Sequence, residues 1–138
     1  MARSVQDVMT QNPRTVEAAQ MVVDAARLMR DENVGIAPVV EGGRLVGTLT
    51  DRDVAVRVVA EGRDPGSTSV RDVASTDLVT VDPQQDFEEA VRLMAEHQVR
   101  RLPVVEEDGR LVGIIAQADV AQEGDNRQTG QVVQEISE

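Results

Sequence analysis

The sequence contains no cysteine, no lysine, no tryptophan and no tyrosine, and Phe87 is its single aromatic residue. Without cysteine, disulfide frameworks, thiolate nucleophiles and cysteine-ligated zinc are excluded. Without aromatic platforms, single-stranded bases have nothing to stack on. A basic surplus is missing too: fourteen arginines face 25 acidic residues, leaving a formal net charge of −11. That balance argues against binding nucleic acid or an anionic membrane surface, both of which rely on a basic footprint. No apolar run approaches the roughly 18 to 20 residues that span a bilayer. The segment Met1 to Thr10 lacks the basic and apolar regions of a signal peptide. The expectation is a soluble, cytoplasmic protein.

What is present is an aliphatic chain of 138 residues, 41% hydrophobic, whose core must be built from Val with Leu, Ile, Ala and Met. It repeats itself. The segment from Ser4 (SVQDVMTQNPRTV) matches the segment from Ser69 (SVRDVASTDLVTV). The match runs on without a gap through Arg27-Leu28-Met29 and Arg92-Leu93-Met94 to Pro38-Val39-Val40 and Pro103-Val104-Val105. After one residue inserted in the second copy, Gly43 to Gly47 pairs with Gly109 to Gly113, and Asp53-Val54 with Asp119-Val120. Self-similarity of this length marks two copies of one supersecondary unit.

Periodicity places the elements. Val22, Ala25, Ala26 and Met29, and likewise Phe87, Ala90, Val91 and Met94, fall at i, i+3, i+4 and i+7, so each copy has an amphipathic helix. Asp86 followed by Glu89 predicts a capping box for the second of these, whereas Met21 offers the first no such cap. Strands begin at Val39-Val40 and Val104-Val105, with hairpin partners Leu45 to Leu49 and Leu111 to Ile115. A further helix follows, clear from Asp51 to Ala60 and weaker from Gln117. Each copy therefore reads β-α-β-β-α after a short helical turn at Val5 to Met9 or Val70 to Ala74. The fold class is mixed α/β (α+β) with two tandem repeats, spanning 4–60 and 69–122. A polar, turn-rich linker at 61–68 joins them, and a polar tail at 123–138 carries a short amphipathic stripe of Val132, Val133 and Ile136. A half of roughly 60 residues buries too little surface to be comfortable alone. The halves are expected to pack sheet to sheet about a pseudo-two-fold axis, with two equivalent clefts beyond the strand ends.

Two polar constellations stand where such clefts would lie. Thr50 and Asp53 end a strand and open a helix. A carboxylate there can accept two hydrogen bonds from vicinal hydroxyls, and the threonine hydroxyl can serve a neighbouring oxygen. Spacing alone favours helix capping over binding, while the recurrence of Asp at Asp119 supports binding. Arg100 and Arg101 precede a strand, and their guanidinium groups suit a phosphate. A solubilised strand edge is the simpler account of them. The first copy has Gly35 and Ile36 at these positions, so the two clefts are chemically unequal. His97 falls in the last turn of a helix as a solvated imidazole, and the acidic pairs Asp31-Glu32, Glu88-Glu89 and Glu106-Glu107 read as solvated faces. None has the register of a metal cage. No P-loop, GxSxG, HExxH or GxGxxG pattern occurs, so catalysis has little support.

Several segments together resemble CBS domains. In the first copy they are Ser4 to Thr10, the helix with Ala25 and Arg27 to Met29, Pro38-Val39-Val40 and Gly47-x-x-Thr50-x-x-Asp53. In the second they are Ser69 to Ala74, the helix through Met94, His97 to Val105 and Gly113-x-x-Ala116-x-x-Asp119. The chain is similar to a stand-alone CBS pair, or Bateman module, of the actinobacterial hypoxic-response type. The resemblance covers about nine-tenths of the chain. It implies a regulatory protein that binds AMP, ADP, ATP or S-adenosylmethionine, or a cyclic dinucleotide, as a ligand and modulates a protein partner. No required cofactor or metal is implied. It assigns ribose to Thr50, Asp53 and Asp119, with Ala116 lacking the hydroxyl, and phosphate to Arg100 and Arg101. The base would lie against backbone near Thr15-Val16, Ile36-Ala37-Pro38, Val79-Thr80-Val81 and Leu102-Pro103. A homodimer is the implied assembly. The competing expectation is a constitutive homodimeric scaffold with vestigial clefts.

Overall fold

The computed structural model of the chain describes residues 3–121. The tail at 123–138, with its expected stripe of Val132, Val133 and Ile136, lies outside them. The elements are α1 (Val5–Val8), β1 (Thr10–Gln11), β2 (Val16–Glu17), α2 (Val22–Glu32), β3 (Ile36–Glu41), β4 (Arg44–Thr50) and α3 (Asp51–Asp53), then a π-helical segment Val54–Val59. There follow α4 (Val70–Val73), α5 (Phe87–His97), β5 (Arg101–Val105) and β6 (Leu111–Ala116). A further helical turn opens at Gln117.

The cuts made by packing fall elsewhere than those of the repeats. One compact unit is 14–78, and the other joins 3–13 to the described residues from 79 onward. Each repeat's leading segment thus belongs to the other repeat's unit. In the unit 14–78, β2 pairs parallel with β3, β3 pairs antiparallel with β4, and Ser75 bridges Thr48 beyond β4. In the other unit β1 pairs antiparallel with β6, β6 with β5, and Val81 bridges Val104 in parallel beyond β5. The two sheets have the same order of segments. Val70 and Val73 fill the core around α2, with Val22, Ala25, Leu28, Val39 and Leu49. Val5 does the same around α5, with Phe87, Ala90, Met94, Leu102, Val104 and Ile115.

Two glycines admit these leading segments. A Cβ on Gly47 would stand 2.8 Å from the Ser75 carbonyl oxygen, and one on Gly113 would stand 2.9 Å from that of Thr10. Both contacts are closer than carbon and oxygen approach without something moving, so the extra strand fits only because both positions lack a side chain.

The two long helices end alike but begin differently from expectation. Asn33 and Gln98 close α2 and α5 in the left-handed region, at φ 55° and 54°. The capping box expected from Asp86 and Glu89 does not form. Asp86 is the N-cap without a side-chain bond, and Glu89 pairs with Arg92 on the helix surface. The Phe87 N–H instead donates to the Arg3 carbonyl at 2.7 Å. A backbone acceptor from a distant segment thus does the work of a local cap. Likewise the Val22 N–H donates to the Thr68 carbonyl at 2.9 Å, and Asp24 accepts from the Met21 N–H at 3.2 Å. Segment 61–68 is therefore hydrogen-bonded to the start of α2. The expected helix at Asp51 to Ala60 is present, but beyond Asp53 its bonds span five residues, as from the Ala60 N–H to the Ala55 carbonyl at 2.9 Å. Val56 and Val59 on this segment are exposed, at 50% and 67%.

Candidate functional site

In the unit 14–78 the site residues meet at one end of the sheet, where β2 and β3 begin and β4 ends. Register brings Ile36 opposite Thr50, Ala37 opposite Leu49 and Pro38 opposite Thr48. Val16 pairs with Val39, and Thr15 stands just before that strand, half-buried. The Asp51 N–H donates to the Gly35 carbonyl at 2.9 Å, which fixes where the helix leaves the strand. Val16 and Ala37 are 3% and 0% exposed. Their side chains belong to the core, and only their backbone is left for a ligand.

Thr50 and Asp53 form a reciprocal capping box. The Asp53 N–H donates to Thr50 Oγ1 at 3.0 Å, and the Thr50 N–H donates to Asp53 Oδ2 at 2.9 Å. The capping role that spacing favoured is therefore real, and it also aims both groups. The Asp53 side chain is only 16% exposed, with Oδ1 facing Arg57 Nε at 3.9 Å, beyond hydrogen-bond distance. Arg57 Nη1 donates to the Val73 carbonyl at 3.1 Å, so its guanidinium is anchored beside the carboxylate. Sequence reasoning missed Arg57. The i,i+4 spacing from Asp53 on a predicted helix was the signal that could have found it.

The second unit repeats this geometry with different chemistry. Arg101 lies opposite Ala116, Leu102 opposite Ile115 and Pro103 opposite Ile114. The Gln117 N–H donates to the Arg100 carbonyl at 2.8 Å, as Asp51 does to Gly35. Val81 binds on both sides of Val104: its N–H donates to the Pro103 carbonyl at 3.1 Å, and its carbonyl accepts from the Val105 N–H at 2.9 Å. Val79 and Thr80, half-buried, lead into it. Asp119 Oδ2 accepts from the Ala116 N–H at 2.8 Å. Ala116 cannot return the bond, so the box is half-made. Arg100 is exposed and Arg101 half-buried, and neither pairs with an acidic side chain among the described residues. The structure thus gathers Thr15, Val16, Ile36 to Pro38, Thr50 and Asp53 in one unit. It gathers Val79 to Val81, Arg100 to Pro103 and Asp119 in the other.

Paired βαββ units, each with an Asp at the strand-to-helix turn, define a class of tandem-repeat mixed α/β folds. The CBS domain family model matches residues 5–60 and again 70–125, and the chain belongs to that family. It is 48% identical over 135 residues to the CBS domain-containing protein YhcV of Bacillus subtilis, covering 97% of this chain and 95% of that one. Among solved structures it is similar to Hypoxic Response Protein I with two coordinated zinc ions, at 36% identity and TM-score 0.79, covering 87% of this chain and 98% of that one. It is also similar to CBSX2 in complex with AMP, at 28% identity and TM-score 0.79, covering 91% and 98%. Among the described residues no three or more His, Cys, Asp or Glu gather as a metal cage. Nor is any helix there long and apolar enough to cross a membrane.

Proposed function

We propose that the chain is a regulatory module, not a catalyst, which senses an adenosine-containing nucleotide and modulates a protein partner from the cytoplasm as a homodimer. The observation that carries this reading is the half-buried Asp53 carboxylate. One oxygen is fixed by the Thr50 N–H, and the other is held at the strand end without a hydrogen bond to its neighbour Arg57. An acceptor preorganised in this way suits a ribose hydroxyl. Asp119 offers the same acceptor, and Arg100 and Arg101 beside it suit a phosphate. The likeness to an AMP complex supports AMP as the first ligand to try.

Calorimetry with AMP and with adenosine tests the reading. Asp53→Asn keeps an oxygen for the Thr50 N–H, so the cap and the melting curve should survive. The lost acceptor should weaken AMP binding about tenfold. Arg101→Gln should erase any preference for AMP over adenosine. Unchanged binding in both variants would refute the assignment.

A scaffold reading has its own support. The reciprocal cap accounts for Thr50 and Asp53 without any ligand, and the exposed Val56 and Val59 form an apolar face. Silence with all adenine nucleotides, combined with a concentration-independent dimer, would favour it.

A further inference from the structure

At the opposite end of each sheet, where the hairpins turn, the two units differ more. In the unit 14–78 a small cavity of about 140 Å³ lies between β3, β4 and α4. Arg71, at its edge, seats its guanidinium on the Glu41 carboxylate. One repeat later the corresponding cavity holds about 670 Å³. In the alignment of the repeats, Gln6 stands where Arg71 stands, Glu106 where Glu41 stands, and Val112 where Val46 stands. A glutamine cannot make the ion pair. Gln6 Oε1 instead accepts from Gln84 Nε2 at 3.0 Å, and Glu106 accepts from Arg110 Nη2 at 2.9 Å. Glu106 is thus held from its own hairpin, and no guanidinium enters from the α1 side as Arg71 does from α4.

The wall has become more acidic as well. The second hairpin is longer by one residue, which adds Glu107 to the lining, and Asp82 faces the same space. Three carboxylates, Asp82, Glu106 and Glu107, thus face one guanidinium, Arg110. Arg110 is paired with Glu106, so the charges of Asp82 and Glu107 stand uncompensated within the lining. The floor is apolar, formed by the half-buried Met9, Leu111 and Val112.

We propose that this cavity is an accessory site for a small free cation with a guanidinium group on a short aliphatic stem. The stem lies on Met9, Leu111 and Val112, as an arginine's own methylenes cover apolar surface. The planar head takes the place that Arg71 fills in the sister unit and bonds the carboxylates through its fork of donors. A chain of net charge −11 draws cations toward such a site. The site stands at the other end of the sheet from Ala116 and Asp119, so it does not depend on the nucleotide reading.

Agmatine is the probe, titrated into the full chain by calorimetry at low ionic strength. Saturable binding is expected, in excess of that of guanidinium chloride, which lacks the stem. Gln6→Arg rebuilds the sister unit's ion pair with Glu106 and should weaken agmatine binding at least about tenfold. It should leave the melting curve and any AMP binding unchanged, since Gln6 is exposed. Glu107→Gln should weaken binding without filling the cavity, so that a folding defect in one variant does not decide the matter. Heat that never saturates, or binding equal in wild type and both variants, would overturn the proposal. Tighter binding of a Gly-Arg-Gly peptide than of agmatine would overturn the assignment to a free cation.

Discussion

The unit 14–78 and its sister are cut from one pattern, yet they treat their polar groups in opposite ways. In the first, Thr50 and Asp53 satisfy each other, and Arg71 and Glu41 pair across the small cavity. In the second, Ala116 leaves Asp119 with one capping bond, and Gln6 leaves the larger cavity unclosed. The backbone is shared down to the bulges, at Val39/Val40 and Val104/Val105. The lesson is that a duplicated scaffold keeps its hydrogen-bonded frame and diverges in side chains at the two ends of the sheet. One copy ties its polar groups into reciprocal pairs, with Asp53 Oδ1 outside them. The other pairs Glu106 within its hairpin and leaves Asp119 with a single capping bond.

The comparison breaks first if the shared frame is not shared. Gly47→Ala and Gly113→Ala each push a Cβ against the carbonyl of an incoming segment. Each should destabilise the chain by about 1–3 kcal/mol, read by urea denaturation. A neutral Gly113→Ala would show that β1 does not lie on β6 as described. A smaller effect sharpens the difference between the turns. Thr50→Ala removes half of a complete box and should cost about 1 kcal/mol, whereas Ala116→Thr should complete the other box and stabilise by about 0.5–1 kcal/mol. Opposite shifts in the denaturation midpoint, the larger from Thr50→Ala, are the expected signature. Destabilisation by Ala116→Thr would mean that the second turn has no room for the hydroxyl.

Much of this was legible beforehand, and the failures have a common cause. The repeat, the i, i+3, i+4, i+7 faces of α2 and α5, and the hairpins follow from local periodicity, which burial obeys except in α2, where Leu28 is buried and Ala26 only half-buried. The exchange of leading segments does not. Val5 and Val70 look like the first residues of their own repeats, yet Val5 packs in the core around α5 and Val70 in the core around α2. The capping box at Asp86 is absent because Glu89 turns outward to Arg92, while the Phe87 N–H beside it is satisfied by the Arg3 carbonyl from a distant segment. At the candidate site, Thr50 and Asp53 were found from a spacing of three, but the π-helical turn that follows has no such signature. The position of Arg57 beside Asp53 rests on a ladder that sequence patterns do not encode.

The central claim is that the two strand-to-helix turns are ligand-facing and chemically unequal. Its most direct test is a titration of the isotopically labelled chain with AMP, followed through backbone amide shifts. The account predicts movement at Ile36, Thr50 and Asp53, at Arg101, Ala116 and Asp119, or at both sets, with the second set favoured by AMP over adenosine. Amide shifts confined to other parts of the chain, or none at saturating AMP, would contradict it.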